Sequence, residues 1–193
     1  MKYTHFQGAG QAYLERLTNL IGQANTQDID NAINLIMDAW QKGRQIITFG
    51  NGGSALTALH FITDWNKSVF ISQKKQFRGR CLLDNIGLIT AYGNDMSYED
   101  IFVEQLKNCM NEGDLVIAIS GSGNSPNIIK AINYANENKA VTLGLCGYNG
   151  GRLKTISQHI VWANVNDMQL SEDFHAIFGH IVMQSLCSTG SKS

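Results

Sequence analysis

The sequence lacks the features that would point to a nucleic acid or a membrane as partner. Its 15 Lys and Arg residues nearly balance 16 Asp and Glu residues, the formal net charge is −1, and no basic run stands out. No apolar stretch reaches the length of a membrane span, and the N-terminus is too polar for a signal peptide. We therefore expect a cytoplasmic protein that binds neither nucleic acid nor membrane.

Paired cysteines and linkers are missing as well. The four cysteines are scattered without a CxxC pair, and two lie in predicted strands, so we interpret them as buried thiols. No repeat, linker or low-complexity segment interrupts the 193 residues. We predict one domain over residues 1–188, with two leading helices at about 8–42, an α/β core at about 44–187 and a frayed tail at 189–193.

The most informative stretch begins with a short apolar run, Leu115–Ile119. Six small or polar residues follow, and Pro126 then opens a helical pattern of apolar residues. A strand that enters a helix through Ser and Gly forms an anion site from hydroxyls, free backbone N–H groups and the helix dipole. The loop lacks the Lys of a P-loop and the third Gly of a dinucleotide fingerprint. It predicts a phosphate monoester site, with an ordinary βα turn as the alternative.

A second junction of the same kind follows the first predicted strand, Gln45–Phe49. The loop Gly-Asn-Gly-Gly-Ser at 50–54 leads into a helix at about 55–65. Strands that alternate with helices indicate a parallel sheet covered on both faces, and ligands of such sheets bind at the carboxyl ends of the strands. Two such loops strengthen the prediction of a phosphate site.

Other segments are less clear. Residues 76–83 form a strand candidate whose arginines suggest an edge or an interface, and 87–92 is a short apolar run. A polar loop is expected at 93–100, with Ser97 as the cap of the helix that follows. Strands at 140–146 and 159–163 and a helix at about 171–186 complete the chain.

Titratable residues cluster on two of the predicted helices. His60 and Asp64, four residues apart, share one helix face behind the first loop. The last helix carries two acids and two histidines, Glu172, Asp173, His175 and His180. His60, Asp64, Glu172 and His180 could hold zinc or a similar divalent ion, or could act as acid and base without metal. The alternatives are a solvent-facing polar pair and a core histidine.

Together these motifs resemble the phosphoheptose isomerases of the sugar isomerase (SIS) superfamily. The resemblance rests on the loop at 50–55 with His60 and Phe61, on Asn94-Asp95 with residues 98–102, on residues 120–127, and on the acid and histidine pattern of the last helix. It covers nearly the whole chain.

The resemblance implies a three-layer α-β-α sandwich with a five-stranded parallel sheet and two extra N-terminal helices. It implies a homotetramer with active sites at subunit contacts, which converts sedoheptulose 7-phosphate to D-glycero-D-manno-heptose 7-phosphate through an enediol. It also implies one zinc ion per subunit, held by His60, Asp64, Glu172 and His180.

The resemblance assigns roles by position. Asp64 and His180 would transfer protons, and Glu172 could itself be the base. The substrate would be bound by Asn51, Gly52, Gly53, Ser54, Asn94, Asp95, Ser120, Gly121, Ser122 and Ser125.

Three positions depart from the family pattern: Asp64 replaces Glu, Glu172 replaces Gln, and Gly121 replaces Thr. They leave open which acid is the base, which sugar phosphate is the substrate and which metal is bound. The main alternative is a non-catalytic SIS protein that binds a protein partner, of the type that associates with the bacterial replication initiator. The complete set of four metal ligands favours an enzyme.

Overall fold

The computed structural model describes residues 8–189, in which five strands and the helices that connect them follow two leading helices. A π-helical turn, Trp65–Val69, joins the third helix to the fourth. The elements in chain order are α1 (Ala9–Gly22), α2 (Thr26–Gln41), β1 (Ile46–Gly50), α3 (Gly53–Asp64), α4 (Phe70–Gln73), β2 (Gly79–Cys81), α5 (Ile86–Asp95), α6 (Val103–Cys109), β3 (Leu115–Ser120), α7 (Pro126–Glu137), β4 (Val141–Cys146), α8 (Gly151–Ile156), β5 (His159–Trp162) and α9 (Met168–Ser188).

The five strands form one parallel sheet in the order β2-β1-β3-β4-β5. The chain leaves β1 towards one edge, to β2, and then returns past β1 to β3. The strand order therefore reverses between β1 and β3, and the carboxyl ends of these two strands flank the crevice where sheets of this kind bind ligands. Both Ser/Gly loops begin at this point.

Helices cover both faces of the sheet. Buried residues of α2, α3 and α9 share one apolar cluster with the sheet, and buried residues of α6, α7 and α8 form a second cluster on the opposite face. The strands β1 and β3 are buried along their whole length, which explains why their apolar residues run on without alternation. The predicted three-layer α/β architecture with a five-stranded parallel sheet and two N-terminal helices is confirmed.

The structure corrects the region between β2 and α6. The strand predicted at 76–83 shrinks to β2, a short edge strand. The apolar run 87–92 belongs to helix α5, because the Asn85 side chain accepts a hydrogen bond from the Leu88 amide and caps that helix. Ser97 caps no helix, since α6 begins only at Val103. Its hydroxyl donates to Asp100 instead.

Other expectations concern the cysteines and the termini. All four thiols are free; Cys81 and Cys146 are buried as predicted, whereas Cys109 and Cys187 are only half-buried. No helix within residues 8–189 is both long and apolar enough to span a membrane. The frayed tail predicted at 189–193 lies outside the described residues except for Thr189, and the single-domain boundaries stay a prediction.

The helices α3 and α9 approach closely because α9 carries a glycine where they meet. A β-carbon on Gly179 would lie only 2.0 Å from Cε1 of the Phe61 ring. The Trp65 indole N–H donates to the Gly179 carbonyl oxygen over 3.0 Å. His60 is the sequence neighbour of Phe61, and His180 is the neighbour of Gly179. The contact between Phe61 and Gly179 therefore also determines the distance between the two histidines.

We predict that Gly179→Ala lowers the free energy of unfolding by about 1–3 kcal/mol, because the methyl group overlaps a fully buried ring. Urea denaturation measures this change. The matched control is Gly93→Ala in α5, where the new β-carbon would meet only Ile101 Cγ2 at 3.8 Å. Helix propensity predicts that this control is neutral or stabilising by up to about 1 kcal/mol. Equal stability of the two variants would contradict the proposed close contact.

Candidate active site

The loops after β1 and β3 enclose a cavity of about 280 Å³. We call this cavity the loop pocket. It is lined by Ile119 near the end of β3 and by Met168 and Glu172 in the first two turns of α9. It brings together every predicted substrate-binding residue except two. Its other lining residues are Asn51, Gly52, Gly53, Ser54, Ser120, Gly121, Ser122 and Ser125.

Two helices, α3 and α7, begin at the loop pocket without a side-chain cap from their N-cap residues. In the described chain, neither α3 nor α7 has a side-chain hydrogen bond at its N-cap residue, Gly52 or Ser125. By contrast, α2 and α9 are capped by the side chains of Asn25 and Asp167. In α7, however, Pro126 has no N–H, and the Ile128 amide donates to Asn127 Oδ1 over 2.9 Å. The free N–H groups are therefore mainly those at the start of α3. Together with the positive dipole ends of both helices and the hydroxyls of the pocket, they favour an anion.

A pair of amide side chains joins the two loops. Asn51 Nδ2 donates to Asn127 Oδ1 over 2.9 Å, and Asn127 Nδ2 donates back to Asn51 Oδ1 over 3.0 Å. The Asn127 side chain is buried, and the Tyr98 hydroxyl also donates to Asn51 Oδ1, over 3.1 Å. These bonds fix the loop after β1 against the start of α7. They also occupy much of the hydrogen-bonding capacity of Asn51.

Two predicted substrate-binding residues lie elsewhere. Asn94 and Asp95 are exposed at the end of α5, and Asn94 Nδ2 donates to Asp95 Oδ1 over 2.8 Å. Neither residue lines the loop pocket. Their role in binding substrate stays a prediction.

A second cluster of polar side chains lies between α3 and α9. His60 Nε2 is 3.0 Å from His180 Nε2 and 3.4 Å from Asp64 Oδ2. One potential ligand atom from each of these residues lies within 4.8 Å of the others. The His60 and Asp64 side chains keep 48% and 21% of their surface exposed, so solvent and small ligands reach the cluster.

The donor set of this cluster fits a zinc ion. Two imidazole nitrogens and one carboxylate oxygen are donors that zinc prefers, and Zn–N bonds of about 2.0–2.1 Å at tetrahedral angles separate ligand atoms by about 3.3 Å. The 3.0 and 3.4 Å separations around His60 Nε2 are close to that value. Three protein ligands would leave a fourth position for water or substrate, as in catalytic sites.

Glu172, the fourth predicted metal ligand, does not belong to this cluster. It lines the loop pocket, and its carboxylate packs against Gly53 at the start of α3. A β-carbon on Gly53 would lie 2.4 Å from Glu172 Oε1. The missing side chain of Gly53 therefore provides the space in which this carboxylate sits.

The other histidine and acid predicted on α9, His175 and Asp173, make contacts that stabilise the fold. The ring nitrogen Nε2 of His175 lies 3.2 Å from the carbonyl oxygen of Cys146, and burial lowers the pKa of His175 to about 4. His175 is therefore a neutral core residue at the end of β4. Asp173 accepts a hydrogen bond of 2.7 Å from the Tyr13 hydroxyl, which raises the pKa of Tyr13 to about 12 and ties α1 to α9.

A larger cavity of about 690 Å³ adjoins the loop pocket. Both cavities are lined by Met168 and Ser122. A β-carbon on Gly121 would lie 2.5 Å from Met168 Sδ, so the methionine fills the space that a side chain at position 121 would need. The larger cavity is otherwise lined by Asn124, Tyr148, Asn149, Trp162, Asn164, Val165 and Asn166.

Comparison with known proteins identifies the family. The sequence profile of the SIS domain family matches residues 11–147. A phosphoheptose isomerase of Citrifermentans bemidjiense is 32% identical over 172 residues, which cover 89% of this chain and 88% of that protein. The chain belongs to the phosphoheptose isomerase family. The predicted resemblance is confirmed, and so is the prediction that the protein is an enzyme, an isomerase of this type.

Solved structures agree with the fold of this isomerase family. A phosphoheptose isomerase from Francisella tularensis superposes with a TM-score of 0.85 at 22% identity, over 93% of this chain and 96% of that one. A second phosphoheptose isomerase, from Neisseria gonorrhoeae, superposes with a TM-score of 0.84 at 23% identity, over 93% of this chain and 97% of that one. The sequence relatives support a phosphosugar isomerase role.

Sequence reasoning missed two residues of the site. Asn127 was part of the resemblance, but no pattern shows that its amide would pair with Asn51 across 76 residues of chain. The one available signal for Asn127 was that it is a polar residue in the first turn of α7, a helix whose inner face is otherwise apolar. Met168 gave no signal, since a methionine before an apolar helix is usually a core residue.

We predict that Asn127→Ala lowers the free energy of unfolding by about 1–3 kcal/mol, because it removes three side-chain hydrogen bonds, two to Asn51 and one from the Ile128 amide, and leaves Asn51 without its buried partner. Thermal or urea denaturation tests this. Asn138→Ala, at the other end of α7, is the control, since the Asn138 amide bonds only to its own helix at the surface. We expect it to stay within about 0.5 kcal/mol of the native protein. The pair would not be structural if both variants unfolded alike.

Proposed function

We propose that the protein is an aldose–ketose isomerase that converts sedoheptulose 7-phosphate to D-glycero-D-manno-heptose 7-phosphate at a zinc site. The observation that supports this most directly is the order of sites along the groove between α3 and α9. The loop pocket lies at the start of both helices, and the His60–Asp64–His180 cluster lies further along the same groove.

The spacing of the two sites suits an extended sugar phosphate. Ser54 lines the loop pocket and His60 belongs to the cluster, and six residues of helix correspond to about 9 Å. The carbon chain of an open-chain hexose or heptose phosphate bridges such a span. The phosphate would bind to the uncapped start of α3 and to the serine hydroxyls, and C1 and C2 of the sugar would then lie at the cluster.

Isomerisation moves one proton between C1 and C2 and a second proton between their two oxygens. Asp64 can accept the carbon-bound proton and return it to the neighbouring carbon, and His180 can donate to one oxygen and accept from the other. Both side chains face the same space beside His60. When bound, zinc would supply a Lewis acid that polarises the carbonyl oxygen. His60, Asp64 and His180 would hold it.

The proposed assembly is a homotetramer with sites at subunit contacts. In support, α5 and the turn after it expose the apolar residues Ile86, Leu88, Met96 and Tyr98. Asn94 and Asp95 lie among these residues and do not line the loop pocket of their own chain. Contact of α5 with another copy would bring Asn94 and Asp95 to the neighbouring site. The cytoplasmic location stays a prediction.

We predict that His180→Ala loses stoichiometric zinc and at least about 100-fold in kcat/KM, because it removes both a ligand and a proton-transfer group. Metal analysis and a coupled assay on sedoheptulose 7-phosphate measure the two effects. The matched control is His159→Ala, which removes an exposed histidine at the start of β5 and should change neither.

The assay separates the competing functions. Zinc without turnover of sedoheptulose 7-phosphate, but with turnover of another ketose phosphate, would replace the substrate and keep the reaction class. Absence of both zinc and turnover in the native protein would contradict the proposal and favour a non-catalytic, partner-binding protein.

A further inference from the structure

Glu172 places a negative charge in a pocket that is otherwise built to receive an anion. Among the described residues that line the loop pocket, it is the one charged residue. Its carboxylate lies against Gly53, at the uncapped and electropositive start of α3. The Glu172 carboxylate therefore lies where a phosphate bound to the first amides of α3 would lie.

The carboxylate is not fixed in this position by polar contacts. Within residues 8–189, no hydrogen bond or ion pair involves the Glu172 side chain, which is half-buried. The other α9 carboxylate nearby, Asp173, is by contrast bonded to the Tyr13 hydroxyl. Glu172 can therefore change its rotamer without breaking a hydrogen bond within the described chain.

A phosphate dianion and this carboxylate repel each other at such short range. The loop pocket contains no Lys or Arg among its described lining residues to neutralise either group. Two anions that share a site without a cation disfavour each other strongly. Phosphate binding therefore requires Glu172 to leave the pocket, or a positive charge nearby.

The cluster on the same groove can provide that positive charge. Glu172 and His180 are two helical turns apart on α9, and Gly53 and His60 are about two turns apart on α3. The Gly53–Glu172 contact and the His60–His180 contact therefore lie along the same groove between α3 and α9, about two helical turns apart. A divalent cation at the cluster attracts the carboxylate away from the start of α3.

We propose that Glu172 is an internal competitor of the phosphate group, and that a divalent cation in the His60–Asp64–His180 cluster relieves this competition. The inference rests on the phosphate and metal sites of the proposed function and assigns to Glu172 the coupling between them. Because coupling between two binding equilibria is reciprocal, phosphate monoester and metal each strengthen the binding of the other. The metal-free protein binds phosphate monoesters weakly.

The test measures the affinity for glycerol 3-phosphate, a simple phosphate monoester, by titration calorimetry. Native protein and Glu172→Gln are each compared after removal of metal and after loading with Co²⁺, whose absorption spectrum reports its coordination. The control Glu137→Gln makes the same change of net charge at an exposed position at the end of α7.

We expect Glu172→Gln to tighten binding of glycerol 3-phosphate to the metal-free protein by at least about tenfold, since it removes the like charge. We expect Co²⁺ to strengthen binding markedly in the native protein and in Glu137→Gln, and by less than about twofold in Glu172→Gln. The Co²⁺ spectrum of the native protein should change when glycerol 3-phosphate binds.

Two results would overturn the inference while leaving the proposed function intact. One is equal metal-free affinity of the native protein and Glu172→Gln. The other is an effect of Co²⁺ that is as large in Glu172→Gln as in the native protein. If the Co²⁺-loaded native protein binds no glycerol 3-phosphate at all, the phosphate site itself is refuted, and the inference fails together with the proposed function.

Discussion

The close approach of α3 and α9 is the constraint on which the rest of the site depends. Gly179 lets the Phe61 ring pack against the backbone of α9, and the Trp65 indole bonds to the same residue. With a side chain at this position the helices would separate, and His60 and His180 would no longer be 3.0 Å apart. A packing requirement of the core thus determines the geometry of a polar cluster at the surface.

Much of the site could be predicted because local spacing determines it. Two apolar strands are each followed by a loop rich in Ser and Gly, and the carboxyl ends of parallel strands lie at the same edge of a sheet. The structure confirms that the two loops meet there. His60 and Asp64 had to share a helix face at a spacing of four residues. His180 joins them because the last helix of such a fold packs on the same sheet face as α3.

The remainder depends on tertiary contacts that spacing does not encode. The run 87–92 suits a strand or a helix equally well, and the cap at Asn85 decides for α5. Glu172 lies within reach of the groove, but its rotamer depends on the empty space above Gly53. The Asn51–Asn127 pair requires the loop after β1 and the start of α7 to be positioned to within a fraction of an ångström, which no single-sequence pattern contains.

The histidine pair also connects distant parts of the chain. His60 and His180 are 120 residues apart, so an ion held between them would close most of the polypeptide into one loop. The ligands converge only in the folded state, and the free energy of coordination then adds to that of folding. In this respect the cluster resembles a reversible cross-link between the first βα unit and the final helix. The free energy of unfolding would then rise with the concentration of available metal.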